Sequence, residues 1–389
     1  MNYRSVVVRR TCRACCGFRL SSINDFGEIY ASDFTSSPVL RGERCAIDLV
    51  RCEECSLVQL RHTFPQDSLY KHYWYRSGTN SKIVADLKSI AKSVHVAEGD
   101  VVLDIGANDG TGLSFYPPGV KRVACEPADN LQEELKKVTP HIIHGLWEAR
   151  AYKHKPAKVI TAIGMLYDSD DPLTFLQDIT KCLDDDGTFI AQLVALKGTI
   201  EKNDVGNILC FEHLNFFSYR SLRMLFEKAG LEIYKVEEND TNGLSYRLYA
   251  RKYKTGSIAV EEDVIDWPQV IERMETAKRE TMDFIKSAKM GGARIFGAMA
   301  STKTNGIMQY YGLDSSLIEG IGEIMPQKIG KYCIGSGIPI VPEEYMLAHA
   351  DIIWVGAFAF KDYLLEKYAG KLKEGCVIAF SAPDFYVTS

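Results

Sequence analysis

Residues 101 to 112 read VVLDIGANDGTG, and no other stretch of the chain restricts the fold so strongly. VVLDI has the apolar, β-branched character of a strand buried on both faces. It runs straight into a loop of small residues, Gly106 to Gly112, where the backbone can approach a ligand closely. Strand, glycine-rich loop and helix in this order open a doubly wound α/β sheet. RVACEP then ends a short second strand in Glu126, 16 residues past Gly110. An acidic residue at that place suits the two hydroxyls of a ribose. The loop lacks the GxGxxG spacing of dinucleotide binders, which argues against a nicotinamide cofactor.

Later segments continue the plan. AKVITAIGML (157–166) and GTFIAQLVAL (187–196) read as strands. Between them LTFLQDITKCL reads as an amphipathic helix, closed by a DDDG turn. A further helix is predicted over YRSLRMLFEKAG, capped by Ser218, with Leu222, Leu225 and Phe226 inward and Gly230 as the stop. LEIYKVEE and SYRLYARK add two more strands. The strand ends of such a sheet face the ligand crevice. Asp168, in MLYDSDDP, therefore stands either in that crevice or in a solvated turn. Glu212 and His213, in ILCFEHLNFFS (208–218), fall between a strand and the capped helix, beside the same crevice.

The head of the chain carries CRAC at 12–15 and CEEC at 52–55, with 36 residues between the pairs. Two tight turns that each aim two thiolates at one point complete a tetrahedron around Zn²⁺. Cys12, Cys15, Cys52 and Cys55 are the expected ligands, with Cys16 as an alternative to Cys15. Four thiolates leave no open position, so the metal is structural. The long spacing predicts an inserted hairpin, and its few basic residues argue against a nucleic-acid-reading module.

The last third repeats the strand, loop and helix theme. A long amphipathic helix is expected from about Pro268 to Met290, with Val270, Met274, Ala277, Phe284 and Ala288 as its packing stripe. GGARIFGAMASTKTNGIMQYYGL then reads as strand, small-residue loop and helix; LIEGIGE, ADIIWVGAF and GCVIAFS supply more strands. Ser301, Thr302 and Lys303 precede a helix, a place that suits a phosphate. With 389 residues, three units follow: 1–72, 73–255 and 256–389. A net charge of −5 and a pI near 6.0 point neither to nucleic acid nor to a membrane surface. No apolar run approaches the roughly 20 residues of a spanning helix, and the first residues lack a signal-peptide pattern. The expectation is a cytoplasmic protein whose three packed domains can act as a monomer.

The loop GANDG with an acidic end on the next strand resembles the S-adenosylmethionine (SAM) pocket of class I methyltransferases. That resemblance implies that Gly106, Asn108 and Gly110 line the methionine side, that Glu126 holds the ribose, and that Asp104 and Asp109 support the loop. Taken in order, the paired CxxC, YWYRSG (73–78), DIGANDG, CEP, FEHLNFFS, NGLSYRLYA, ASTKTNGIMQYYGL and GKYCIGSGIPI are similar to the zinc-headed sugar C-methyltransferases. These act on nucleotide-linked keto-deoxysugars. The resemblance implies a small zinc-binding domain, a class I methyltransferase Rossmann-like domain and a second Rossmann-like domain that meets the nucleotide.

It also implies a mechanism. A ketone acidifies the neighbouring C–H, a base removes the proton, and the enolate carbon takes the methyl. Histidine suits the base because its pKa lies near neutrality. By resemblance His213 is that base, Glu212 orients it or touches a sugar hydroxyl, and Tyr75 closes over the site. Ser301, Lys303 and Lys328 meet the TDP or GDP part of the substrate. Cys210 and Phe211 depart from the family, which commonly has tyrosine and histidine there; Asp168 stands in for a common histidine, and Thr304 for a glycine. Two alternatives share the architecture: O- or N-methylation of another small molecule, and a non-catalytic SAM- or nucleotide-sugar-binding protein.

Overall fold

The computed structural model describes residues 6–39, 44–64, 69–71, 73–262, 264–356 and 361–388. The expected domain boundary at residue 72 lies just outside them. In the head, β1 (Leu20–Tyr30), β2 (Arg44–Cys52) and β3 (Val58–Leu60) form an antiparallel sheet, so a hairpin does separate the cysteine pairs. Its fourth strand, Asn215–Phe216, comes from the middle of the chain and pairs with β3.

Seven strands build the central sheet: β4 (Val101–Ile105), β5 (Lys121–Glu126), β6 (Ile142–His144), β7 (Ala157–Ile163), β8 (Leu183–Val194), β9 (Leu231–Asn239) and β10 (Ser245–Lys252). Their order is β9-β10-β8-β7-β4-β5-β6. Strands β4 to β8 run parallel, while β10 is antiparallel to both its neighbours. Chain order reverses between β4 and β7, and ligands bind beyond the strand ends at such a switch point. Every residue of β4 is buried, as its apolar run requires.

Around this sheet lie α1 (Ser81–Lys92), capped by Asn80, α2 (Pro172–Cys182), capped by Asp171, and α3 (Tyr219–Lys228), capped by Ser218 as expected. One expected element is short and one expectation fails. The helix after the glycine loop is a single turn, Thr111–Ser114. The DDDG segment is no turn but the start of β8, whose pairing with β7 shifts between Ala157 and Val159. That irregularity turns Asp185 and Asp186 outward, and only a glycine fits at 187, where a Cβ would stand 2.9 Å from the Ala157 carbonyl oxygen.

The tail opens with α4 (Trp267–Met290), capped by Asp266. Met274, Ala277, Thr281 and Ile285 form its buried face, while Val270, Phe284 and Ala288 flank it half-buried. Thr281 is admitted to that face because its hydroxyl bonds Ala277 O and Ser381 Oγ. Strands β11 (Ile295–Ala298), β12 (Gly320–Glu323), β13 (Ile340–Pro342), β14 (Ile352–Val355), β15 (Val377–Phe380) and β16 (Tyr386–Thr388) give the order β13-β12-β11-β14-β15-β16. All are parallel except β16. Helix α5 (Thr302–Tyr311) follows β11.

Head and tail share one core, although the tail also buries a separate cluster around Phe296, Met346 and Phe380. One apolar cluster joins Ile47 and Leu49 of the head, Ile208, Phe211 and Phe216 of the middle, and Ile307 and Trp354 of the tail. The Gln309 side chain on α5 pairs with the Tyr30 backbone like an extra strand residue, at 2.8 and 3.2 Å. Phe34–Thr35 also pairs antiparallel with Tyr332–Cys333. Among the described residues no helix is long and apolar enough to cross a membrane.

Candidate active site

A cavity of about 650 Å³ opens beyond the C-terminal ends of β4, β7 and β8. The glycine loop forms one wall. Gly106 sits at φ +73°, and a Cβ there would come 3.1 Å from Met165 Cγ on the facing wall. Such a left-handed position at a cavity wall calls for glycine. Asn108 also has positive φ, +52°. Its backbone N–H donates to Glu126 Oε2 at 2.8 Å, and the Ala128 N–H donates to Oε1 at 2.9 Å. The Glu126 carboxylate is thereby aimed from the end of β5 into the cavity. Burial raises its pKa, and these two hydrogen bonds oppose the rise. Burial also lifts Asp104, at the end of β4, to about 7, against a 2.6 Å hydrogen bond from the Thr161 hydroxyl.

Of the loop residues, Asn108 lines the cavity and Asp109 braces the loop, while Gly110 stands off the cavity wall. The Asn108 side chain pins the YWYRSG segment: Oδ1 accepts Ser77 N–H at 2.9 Å, and Nδ2 donates to Tyr75 O at 3.1 Å. Asp109 does not line the cavity; it accepts Gly78 N–H at 2.8 Å and Thr111 N–H at 3.1 Å. Gly110 is also off the cavity wall, and its missing Cβ makes room for Val138 and Leu135. Tyr75 lines the cavity while remaining half exposed. Tyr73, which opens YWYRSG, and Tyr70, which lies just before that motif, line it too. The signal available was the tyrosine-rich spacing of that segment.

His213 also lines the cavity. Its Nδ1 lies 3.2 Å from the Asn207 carbonyl oxygen, which accepts only if Nδ1 carries the proton. The neutral ring then has a bare Nε2. Its pKa is lowered to about 3, by burial first and by the Lys303 charge second. The Tyr167 ring packs against the imidazole edge-on at 4.6 Å. Glu212 is not the partner of His213. Its Oε2 accepts the Cys210 thiol at 2.8 Å, and it lies behind the cavity lining. Two short helices, Leu196–Glu201 and Val205–Ile208, intervene between β8 and this pair without a hydrophobic period that would announce them.

Asp168 is buried at the cavity, so the solvated-turn alternative is excluded. Burial pushes its carboxyl far above the usual range, and the nearby Glu212 adds to the rise, while a hydrogen bond from Tyr70 opposes it. Glu212 is raised by burial as well. Two buried carboxyls, both shifted upward, thus back the floor of the site.

The sequence has relatives among known proteins. Residues 75–236 match the family described as methyltransferase domain, and residues 259–383 match the C-methyltransferase C-terminal domain. The C-methyltransferase NovU of Streptomyces niveus is 24% identical over 330 residues, 78% of each chain. The two matched domains and this relative support a SAM-dependent C-methyltransferase. Among solved structures, the mitomycin 7-O-methyltransferase MmcR is 16% identical with a TM-score of 0.37, over 45% of this chain and 55% of that one. A putative methyltransferase from Bacillus halodurans C-125 is 14% identical with a TM-score of 0.36, over 44% of this chain and 99% of that one.

A C-methyltransferase of this kind draws its methyl group from SAM. The chain's own residues fit that group: a wall without side chains at Gly106, and an acidic group fixed at the end of β5. From the tail of the C-methyltransferase, Ser301 and Lys303 reach the cavity rim. The Ser301 hydroxyl accepts Thr304 N–H and caps α5, and Lys303 Nζ pairs with Asp204 at 2.8 Å. Lys328 does not reach the cavity. It is buried between head and tail, donating to Ala300 O at 2.7 Å beneath the Phe34 ring.

In the head, the Sγ atoms of Cys12, Cys15, Cys52 and Cys55 lie within 4.8 Å of one another. Zn–S bonds of about 2.3 Å in a tetrahedron need S···S spacings of about 3.8 Å, and the donor set fits. Each CxxC closes through a residue of positive φ, Cys16 at +66° and Ser56 at +64°. Cys16 points to solvent, which leaves Cys15 in the cluster.

Proposed function

We propose that this C-methyltransferase methylates a carbon beside the ketone of a TDP- or GDP-linked 4-keto-deoxysugar, with His213 as the base. The observation that carries this reading is the His213 imidazole, fixed by Asn207 with Nε2 bare and placed on the cavity. A base for a C–H proton must be neutral, and burial beside Lys303 keeps it so at neutral pH.

Nε2 takes the proton from the carbon next to the carbonyl, and the C–H electron pair moves toward the ketone oxygen. The nucleophilic carbon then forms its bond to the methyl group as the sulfur–methyl bond breaks. SAM supplies the electrophilic methyl. Glu126 holds the ribose hydroxyls, Gly106 and Asn108 line the methionine side, and Asp104, Asp109 and Gly110 shape the loop. Tyr75 covers the site with Tyr70 and Tyr73, and Asp168 and Tyr70 offer hydrogen bonds to the keto oxygen or a hydroxyl. Ser301 and the start of α5 face the nucleotide end. Zinc on Cys12, Cys15, Cys52 and Cys55 holds the head together, and the enzyme works in the cytoplasm on a small-molecule substrate.

The test is exchange without transfer. With S-adenosylhomocysteine bound, deuterium from D₂O should enter the carbon beside the ketone, and His213→Gln should abolish it. Absence of exchange in the wild-type protein, together with transfer to oxygen, defeats the reading.

A further inference from the structure

Lys303 reads in the sequence as a phosphate ligand, but its ammonium is committed elsewhere. We propose that Lys303 is a positioning residue for the base: through Asp204 and Asn207 it holds the His213 ring from the tail domain. This rests on the assignment of His213 as the base.

Three contacts in series make the connection. Lys303 Nζ lies 2.8 Å from Asp204 Oδ2. The other oxygen of that carboxylate, Oδ1, accepts the Asn207 N–H at 3.1 Å and so caps the Val205–Ile208 turn. The carbonyl of the same Asn207 then faces His213 Nδ1 at 3.2 Å. One residue thus links the carboxylate to the imidazole. The Asn207 side chain braces it from below, donating to the Thr199 hydroxyl at 2.8 Å.

Packing makes the arrangement rigid. The 205–208 turn lies directly on α5. A Cβ at Gly206 would stand 3.2 Å from Lys303 Cβ, and one at Gly306 would stand 2.6 Å from Leu209 O. With glycine at both places the two backbones approach closely enough for Lys303 to reach Asp204. The ion pair is largely buried, 16% and 8% exposed at the two side chains, where a lost partner is costly.

Among the described residues, few groups face His213. Lys303 approaches from α5, Asp204 from the 205–208 turn and Tyr167 from the Leu166–Asp168 turn, with Glu212 and Cys210 adjacent on its own segment. Lys303 is the cation of this set, and it disfavours the imidazolium. The pair therefore fixes the tautomer through Asn207, while burial and the Lys303 charge disfavour the imidazolium against the opposing charge of Asp204.

The experiment uses the full-length enzyme with SAM and a keto-sugar nucleotide, in three variants. Lys303→Met should lower kcat about tenfold or more while KM for the sugar nucleotide stays within about threefold, and Lys303→Arg should recover most of the loss. A phosphate ligand would instead raise KM with kcat kept, and that result overturns the proposal, as does no change in either. A second measurement needs no turnover. In protein labelled with ¹⁵N-histidine, the His213 signal, identified by its loss in His213→Gln, should show one tautomer with Nδ1 protonated. In Asp204→Asn the two nitrogens should average; an unchanged signal overturns the proposal. If His213→Gln keeps full turnover, it is the base assignment that fails, whatever Lys303 does.

Discussion

The Asn108 backbone N–H and the Glu126 carboxylate meet at 2.8 Å across the mouth of the central sheet. With the Ala128 N–H on its other oxygen, this carboxylate is oriented before any ligand arrives. It keeps free lone pairs toward the cavity, as a ribose diol requires. Removing a charged acceptor from such a pair of hydroxyls costs about 1.5–3 kcal/mol. Glu126→Ala should therefore weaken SAM binding by roughly 10- to 100-fold. Calorimetric titration measures this directly, and a dissociation constant within about threefold of wild type would contradict it.

Asp104 gives a prediction about pH. Its folded-state pKa is raised from 3.8 to about 7, chiefly by burial. The folded protein thus holds a proton between these values that the unfolded chain has lost, and stability falls as pH rises through that window. The contribution is intact below about pH 4 and gone above about pH 7. Asp104→Asn removes the ionisable group but keeps an acceptor for the Thr161 hydroxyl. In urea melts without cofactor, the variant should gain on wild type at pH 8, by up to a few kcal/mol. The gain should vanish at pH 4. Equal gains at both pH values would show that the buried charge on Asp104 is not what costs stability.

Gly306 tests how the tail is seated. Its missing Cβ would meet the Leu209 carbonyl oxygen at 2.6 Å and Leu209 Cβ at 3.0 Å. Backbone cannot swing aside as a side chain can, so Gly306→Ala must separate α5 from the 205–208 turn. Overpacking of this kind costs about 1–3 kcal/mol. Gly206→Ala meets mainly the end of the Ile307 side chain, at 2.8 Å, and should cost less. Thermal melts of the two variants side by side check the order, and equal melting temperatures would sink the argument.

The sequence spoke most clearly where one residue type has one use. VVLDI, the strand end at Glu126, Ser218 as a helix cap and the paired CxxC were all legible, because burial period, capping chemistry and thiolate pairing are local. What stayed hidden was non-local. Asn108 sits in a ligand loop, yet its side chain holds residues 31 positions back in the chain. Lys303 looks like an anion site until Asp204, 99 residues earlier, claims it. Glu212 adjoins His213 in sequence, but the turn points it to Cys210 and leaves Asn207 as the partner. The strand Asn215–Phe216 had no hydrophobic period to announce it, since its pairing partner is in the head.

That last pairing also yields the prediction for the metal. Cys52 ends β2 and receives no solvent, its backbone N–H bonds Leu57 O at 2.8 Å, and β3 follows at Val58. β3 carries Asn215–Phe216, only two residues beyond His213. The four cysteines thus fix a turn that fixes a strand that anchors the base. Structural zinc contributes directly to folding free energy, so Cys52→Ser should lower the melting temperature by about 5–10 °C. Turnover should fall further than SAM affinity, because His213 adjoins the strand that pairs with the head, whereas Gly106 and Glu126 stand at the ends of β4 and β5 in the central sheet. Chelation with a strong zinc ligand should reproduce both effects. A purified native protein with close to no bound zinc, or a Cys52→Ser variant with wild-type melting and turnover, would show that the cluster does not carry the head.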